Sequence, residues 1–435
     1  MNHSVTLEKD KCKGCTTCIK HCPTEAIRVR RGRAYIIEER CIDCGECIRV
    51  CPHKAKKAVC DPMDRLGDFK YNIALPAPSL YGQFRNLENV NIVLQALLEI
   101  GFDMVEEVAY GAELISAATR RLIESKSDLP RPIISSACPA SVRLISMRFP
   151  KLIPNILPII APVEITAIKA REEAVRKTRL KPEEIGVFFL TPCPAKVTAV
   201  HYPLMLDKPV VDGAISMTEI YKKLLPAMKK VRTPENLSKT GVMGVKWGKS
   251  GGETEALSHG RSISVDGIEN VIKMLEELED GKLISADFLE LNACNQGCVG
   301  GCLTVENPYI AKTRIKELAH MLPPVGMPDS SPTDVKATSL PEHEPVLRLD
   351  EDRQMAFEKA LEIEKLNEEL PGLDCGSCGA PSCRALAEDI VLGFGFEDDC
   401  IFRMREKMQH LTGEKDADEY LPPPFRQKDK EQRES

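Results

Sequence analysis

From about residue 69 the chain alternates short apolar runs with longer amphipathic stretches. YNIALP reads as a buried strand. NVNIVLQALLEIG places its apolar residues three and four apart, which predicts a helix closed by Gly101. FDMVEEVAY is strand-like and AELISAATRRLIES helical. PIISSA is a strand, PVEITAIKAREEAVRKT a helix, and EIGVFFLTP and DFLELNA are strands again. Such alternation predicts a parallel or mixed α/β sheet, in which ligands sit beyond the carboxyl ends of strands. Three of these strands run straight into Cys138, Cys193 and Cys294. Residues 1–62 have a different texture: two similar halves, each a cysteine run followed by a β-like segment (CPTEAIRVRRGRAYI, then CPHKAKKAVC). This is an internal repeat of roughly thirty residues. The Pro-rich, polar stretch 323–352 reads as a linker, AFEKALEIEKLNEEL as a charged amphipathic helix, and the highly charged residues 413–435 as a disordered tail. The expected division is 1–62, 69–322, the linker 323–352, 353–412 and the tail 413–435.

Composition narrows the function classes. A chain of 435 residues exceeds one ordinary core, and a hydrophobic fraction of 43% suits a sizeable interior. The net charge of -6 gives no basic footprint, and aromatics at 5% offer no stacking platform, so nucleic acid is not an expected partner. No apolar run reaches membrane-spanning length, and MNHSVTLEKDKCKGC lacks a signal-peptide core. No membrane association and a cytoplasmic, reducing, oxygen-poor address are therefore expected.

The chain has 18 cysteines, and their spacing carries the chemistry. Two C-x2-C-x2-C-x3-C-P runs comprise Cys12, Cys15, Cys18, Cys22 and Cys41, Cys44, Cys47, Cys51. Such a run wraps three corners of one [4Fe–4S] cube and sends its fourth thiolate to a second cube. Cys12, Cys15, Cys18 and Cys51 are then expected to hold one cluster, and Cys41, Cys44, Cys47 and Cys22 the other. Zinc is the plainer alternative for a four-cysteine set, but two interleaved runs with both prolines favour iron–sulfur. This segment resembles bacterial two-cluster ferredoxins over its whole length. Near the other end, Cys375, Cys378, Cys383 and Cys400 resemble the four-cysteine [4Fe–4S] domain appended to corrinoid and electron-transfer proteins, with a helix expected over 385–392. Only Cys60 stands outside any pattern.

Taken singly, Cys138, Cys193, Cys294 and Cys298 read as buried structural thiols, since free cysteine packs like a small hydrophobe. Their contexts (ACPAS, TPCPAK, NACNQGCVGGC) put each beside Pro or Gly at a strand end. These loops, with ALPAPSL, FDMVEEVAYGAEL and SVRLISMRFPKLIPNILPIIAP, resemble the catalytic domain of the [FeFe] hydrogenases from about Asn72 to Leu322. The resemblance implies that Cys138, Cys193, Cys294 and Cys298 hold a [4Fe–4S] cube, that Cys298 bridges to a diiron unit with CO, CN and dithiolate ligands, and that Lys196 hydrogen-bonds a cyanide. It further implies that Ala77, Pro78 and Ser79 cradle the diiron unit. Departures are equally specific. Rapid members carry a proton-passing cysteine where this chain has Ala137. They have methionine, glutamate, glutamine and methionine where it has Thr191, Ala199, Val163 and Asn292, and glycine where it has Cys302. Cys302 reads as a substitute proton relay, a redox thiol or an inert thiol. Such departures resemble the sensory branch of the family, of the kind ending in a four-cysteine domain.

The expected fold class is α/β multidomain. It comprises a ferredoxin-like two-cluster module, an α/β hydrogenase H-cluster domain with mixed sheets, and a small, mostly helical C-terminal iron–sulfur domain. Three functions stay open: a hydrogen-sensing protein with slow, reversible proton reduction, a working hydrogenase with another proton path, and an iron–sulfur scaffold without the diiron unit. H2 and protons are the expected small partners, beside an unidentified redox partner or signalling protein.

Overall fold

The computed structural model describes residues 3–412 apart from 126–128, 259, 283–284, 323–327 and 347. The charged tail expected at 413–435 lies outside the described residues. Two compact units make up the chain: Met1–Cys12 with Ile36–Leu347, and Lys13–Tyr35 with the chain from Arg348.

The larger unit holds a small antiparallel pair, Val5–Leu7 with Lys56–Ala58, and two larger sheets. One has the order Met104–Val105, Tyr71–Pro76, Ile185–Thr191, Gly213–Ser216; the other Ser262–Asp266, Phe288–Asn292, Ile133–Ile134. Every pairing within these two larger sheets is parallel, so the mixed sheets expected here resolve into parallel ones. Ile185–Thr191 is buried at every position, as a strand covered on both faces must be, which is why it reads as an unbroken apolar run. Register matters to function. Pro76 lies opposite Leu190, so the segments following these two strands, 77–79 and 192–196, leave the sheet side by side. Leu289 lies opposite Ile134, which does the same for the segments leading to Cys294 and Cys138.

Two strands are shorter than their patterns suggest. FDMVEEVAY keeps only Met104–Val105, because Val108, Ala109 and Ala112 turn one buried face of the helix Val108–Glu124 inward. PIISSA keeps only Ile133–Ile134. Beyond it the serines bond by their hydroxyls: Ser135 Oγ donates to Glu253 Oε2 (2.7 Å) and accepts from Ala137 N (3.2 Å), and Ser136 Oγ donates to the Ile159 carbonyl (2.7 Å). These local bonds take the chain out of the ladder.

Part of the proline-rich stretch runs along this unit. Ile160 N donates to Val335 O (2.9 Å), Ala337 N to Pro158 O (3.1 Å) and Thr338 N to Met205 O (3.0 Å). In the smaller unit, the strands Ile27–Arg30 and Arg33–Ile36 pair, and the helices Arg353–Glu369 and Cys383–Val391 share a core of Ile363, Leu370, Ala385 and Leu386.

Candidate active site and cluster centres

Cys138 and Cys193 each stand as the N-cap of a helix, Pro139–Arg148 and Pro194–His201, with proline at the first helical position. The local reason is steric. Proline holds the residue before it in extended backbone, so each strand must end at the cysteine, and its own fixed φ suits a helix start. Both thiols thereby sit at the positive end of a helix, which favours a thiolate or an anionic cluster there. The third loop bends through Gln296 and Gly297, both with positive φ, into the short turn Gly297–Gly300 that carries Cys298. Only glycine fits at 297, where a Cβ would lie 2.4 Å from Ser250 N.

The four sulfurs act on one another. Burial pushes the Cys193 thiol up, and Cys294, Cys298 and Cys138 push it further, while Lys196 pulls it down. Cys294 is pushed up to about 11 by burial, opposed by Arg49 and reinforced by Cys138 and Cys298. Burial works to strip the Lys196 ammonium of its proton, yet the sulfurs of Cys298, Cys193, Cys138 and Cys294 hold it charged above the usual lysine range. Its Nζ lies 3.4 Å from the Ala137 carbonyl and 3.8 Å from Cys298 Sγ. One ammonium cannot balance four converging thiolates. Several iron ions can, and an all-thiolate donor set is the one iron–sulfur clusters take, so these residues fit a cube.

Beside this cluster of sulfurs is a cavity bounded by Ala77, Pro78, Ser79, Ala137, Lys196 and Cys298, with Val163, Asn292, Glu253 and Glu290 on its walls. Thus three of the positions at which the sequence departs from rapid hydrogenases, Ala137, Val163 and Asn292, face one space. Ala137, Val163 and Lys196 also line a second, mainly apolar cavity with Ala199, Leu204 and Met205. What surface Lys196 keeps is turned into these two cavities. The loop 78–83 is held by Tyr81, whose hydroxyl donates to Glu107 Oε1 (2.6 Å), while Glu107 Oε2 accepts from Ser238 Oγ (2.8 Å) and Lys239 N (2.9 Å). Gly248 closes the other side so tightly that a Cβ there would lie 2.9 Å from Ser79 N. Cys302 does not line this cavity; burial pushes its thiol up and Cys294 and Cys193 push it further, and its Sγ lies 2.5 Å from where a Cβ on Gly45 would sit.

Sequence reasoning missed the two carboxyls of this cavity. Glu253 and Glu290 are each 4% exposed. Glu253 accepts from Ser135 Oγ at 2.7 Å. Glu290 accepts from Gly251 N and Asn292 Nδ2, both at 2.8 Å, and from Thr254 N at 3.0 Å. Burial, and for Glu253 the neighbouring Glu290, holds both carboxyls toward the protonated form. The available signal was a glutamate in the midst of the apolar strand DFLELNA.

The second N-terminal cysteine run is stitched to this site within the same unit. Buried Asp43 accepts from Ser4 N (3.1 Å), Val5 N (3.0 Å), Arg143 Nη1 (3.2 Å) and Thr198 Oγ1 (2.7 Å). Arg143 and Thr198 belong to the helices that begin at Cys138 and Cys193. Arg49, two residues past Cys47, donates to the Gly300 carbonyl at 2.8 Å. The internal repeat also has a structural counterpart: Ala26 N donates to Cys22 Sγ and Ala55 N to Cys51 Sγ, each at 3.2 Å. Burial would raise the Cys51 thiol, but the amides of Lys56, Ala55 and His53 outweigh it and bring it below its usual value, as suits a metal ligand. In the smaller unit, burial raises the Cys378 thiol and Cys375 and Cys400 add to the rise, and Cys378 and Cys383 pack against the core that holds Cys400. None of the 18 cysteines is in a disulfide.

Strand-end cysteines on parallel sheets, a half-buried lysine among their sulfurs and further cysteine sets define an iron–sulfur protein of redox type. Comparison with known families makes the class specific. The family described as iron only hydrogenase large subunit, C-terminal domain, matches residues 70–260 and 255–302. A 4Fe-4S dicluster domain matches residues 4–52 and an Fe–S cluster family residues 370–402. The chain belongs to the iron-only, or [FeFe], hydrogenase family. It is 30% identical over 213 residues to the large subunit of the periplasmic [Fe] hydrogenase of Nitratidesulfovibrio vulgaris, a match covering 45% of this chain and 50% of that one. It is 25% identical over 368 residues to iron hydrogenase 1 of Clostridium pasteurianum, covering 68% and 64%. The chain thus spans between half and two thirds of the length of these relatives. A structure of the [FeFe]-hydrogenase HydA1 from Chlamydomonas reinhardtii shares the fold, with TM-score 0.50 and 15% identity over 66% of this chain and 97% of that one. No helix among the described residues is long and apolar enough to cross a membrane.

Proposed function

We propose that this protein is a hydrogen-responsive, regulatory member of its family that interconverts 2H⁺ + 2e⁻ and H2 slowly and reversibly. The reading rests above all on the half-buried Lys196, its ammonium 3.8 Å from Cys298 Sγ, beside a cavity that Ala137 lines in place of a thiol. Cys138, Cys193, Cys294 and Cys298 would hold a [4Fe–4S] cube, and Cys298 would bridge it to a diiron unit seated against 77–79. That unit, when bound, supplies the metal at which protons and electrons meet. Lys196 offers three N–H donors to an anionic ligand, a task for which a compact ammonium is suited. With no thiol at 137 the route of the rapid enzymes lacks its first carrier. Glu253 and Glu290 offer another, since both line the same cavity and burial pushes both carboxyls toward the protonated form. Two buried carboxyls that share charge give up protons reluctantly, which accords with slow turnover. Electrons would arrive through the ferredoxin-type clusters from an unidentified redox or signalling partner in a reducing, cytoplasmic setting.

Infrared spectroscopy of protein matured with the diiron unit tests this reading. CO and CN stretches that shift under H2 are expected, with turnover far below that of rapid hydrogenases. Absence of such bands after maturation would leave the scaffold function in its place.

A further inference from the structure

The C-terminal cysteine loop is locked, within the smaller unit, onto the chain that carries the first cysteine run. Asp389, on the helix Cys383–Val391, is 5% exposed and takes two arginines from the strand Ile27–Arg30. Arg28 Nε reaches its two oxygens at 3.0 and 2.8 Å, and Arg30 Nη2 reaches Oδ2 at 2.7 Å. Arg28, fully buried, donates also to the Glu25 carbonyl (2.7 Å). Arg30 Nη1 donates to the Cys378 carbonyl (2.8 Å), Val29 N to Gly379 O (2.8 Å) and Lys20 Nζ to Pro381 O (3.1 Å). The contact is backbone-tight. A Cβ on Gly379 would lie 1.9 Å from Val29 O, and one on Gly376 within 3.6 Å of Thr16, Ile19 and Lys20.

These neighbours are consequential. Thr16 follows Cys15, Ile19 follows Cys18, and Gly376 follows Cys375. Chain geometry then bounds the Cα atoms of Cys15 and Cys375 to within about 14 Å of each other. Buried ion pairs are weak stabilisers, because desolvating the charges offsets most of their attraction, but they tolerate few alternative arrangements. A triad with one carboxylate between two arginines therefore suits fixing a separation better than adding stability. Electron tunnelling falls off exponentially with distance, so a fixed, short separation is what a relay needs. Cys375 is meanwhile exposed, whereas Cys400 is buried.

We propose that the C-terminal cluster is the electron port of the protein, coupled to the cluster of Cys15 and Cys18, with Asp389 and Arg30 as positioning residues. A one-electron carrier would give up its electron at the Cys375 edge and leave oxidised. The electron would pass to the neighbouring cube, with no bond made or broken. The proposal needs the clusters but not the diiron unit, so it stands or falls apart from the reading above.

The test uses the full chain loaded with iron and sulfide and without the diiron unit. Reduced wild-type protein should show a magnetic interaction in its EPR spectrum that Cys378→Ser removes, together with about four iron atoms per chain. Asp389→Ala and, separately, Arg30→Gln should keep their iron but weaken that interaction. They should also slow reduction of the Cys15–Cys18 cluster by reduced methyl viologen about tenfold, and Asp389→Glu should restore it. The proposal is overturned if the wild-type spectrum is the plain sum of the Cys378→Ser spectrum and an unperturbed signal, or if viologen reduces Asp389→Ala and Arg30→Gln as fast as wild type. It also falls if Cys378→Ser loses no iron, an outcome that leaves the central site untouched.

Discussion

At the scale of single residues, the cavity sets the proton chemistry. Glu253 accepts from Ser135 on the cysteine-bearing segment; burial raises its carboxyl, and the charge of Glu290 pushes it up further. Replacing it with Gln keeps the hydrogen-bonding shape and removes the exchangeable proton. In matured protein Glu253→Gln is expected to lower H2 evolution on the order of 10²-fold, the low end of what a positioned acid–base group contributes. CO and CN bands should persist, showing that the site is intact. Undiminished evolution would show that protons travel another way. Ala137→Cys should give a modest gain at best, because Thr191 and Ala199 also differ from the rapid route.

Glu164, at the start of the helix Pro162–Thr178, gives a test that needs no cofactor. Burial raises its carboxyl to about 7, against the Ala161 amide that it accepts from at 2.7 Å. Its unfolded value is 4.5, so the folded state binds the extra proton between these values. Stability should therefore be full below pH 4.5 and fall as pH rises toward 7. Glu164→Gln, which can still accept from the amide, should remove that slope and gain about 1–3 kcal/mol at pH 8 relative to pH 5. Urea midpoints at the two pH values measure it, and an unchanged slope would mean that Glu164 ionises normally.

At the scale of elements, the segments beyond the parallel strands are held by close backbone approach. Gly248→Ala would press a methyl against the 78–79 backbone, where the nearest atom is 2.9 Å away. A cost of about 1–3 kcal/mol is expected, as for other overpacked sites. Matured protein should show shifted CO and CN bands, since 77–79 line the same cavity as Cys298. A thermal midpoint and spectrum equal to wild type would show that the loop has room to give. The same elements explain what was legible beforehand. YNIALP, EIGVFFLTP and DFLELNA stand as read, because strands buried on both faces are dominated by apolar residues. FDMVEEVAY and PIISSA are shorter than read, the first because its second half enters the helix Val108–Glu124 and the second because Ser135 and Ser136 make side-chain hydrogen bonds that a local pattern does not reveal.

At the scale of the whole molecule, cluster content is the decisive quantity. If the sixteen cysteines read as ligands all bind, they make four cubes, or about sixteen iron atoms per chain before any diiron unit is added. Iron analysis should return about that value, and about eight with stoichiometric zinc would contradict it.

The sequence by itself determined the metal chemistry and the strand–helix alternation. Thiolate spacing within a loop is local, and so are the Cys-Pro helix starts that aim Cys138 and Cys193. Tertiary structure alone decided which distant groups meet. Glu253 and Glu290 are 37 residues apart, and only the folded chain brings them into one cavity with Lys196 and Cys298. Asp389 and Arg28 are 361 residues apart, and no spacing rule links them. Ligand sets are written in short-range geometry, whereas proton routes and cluster separations depend on burial and on long-range contacts that exist only once the chain has closed.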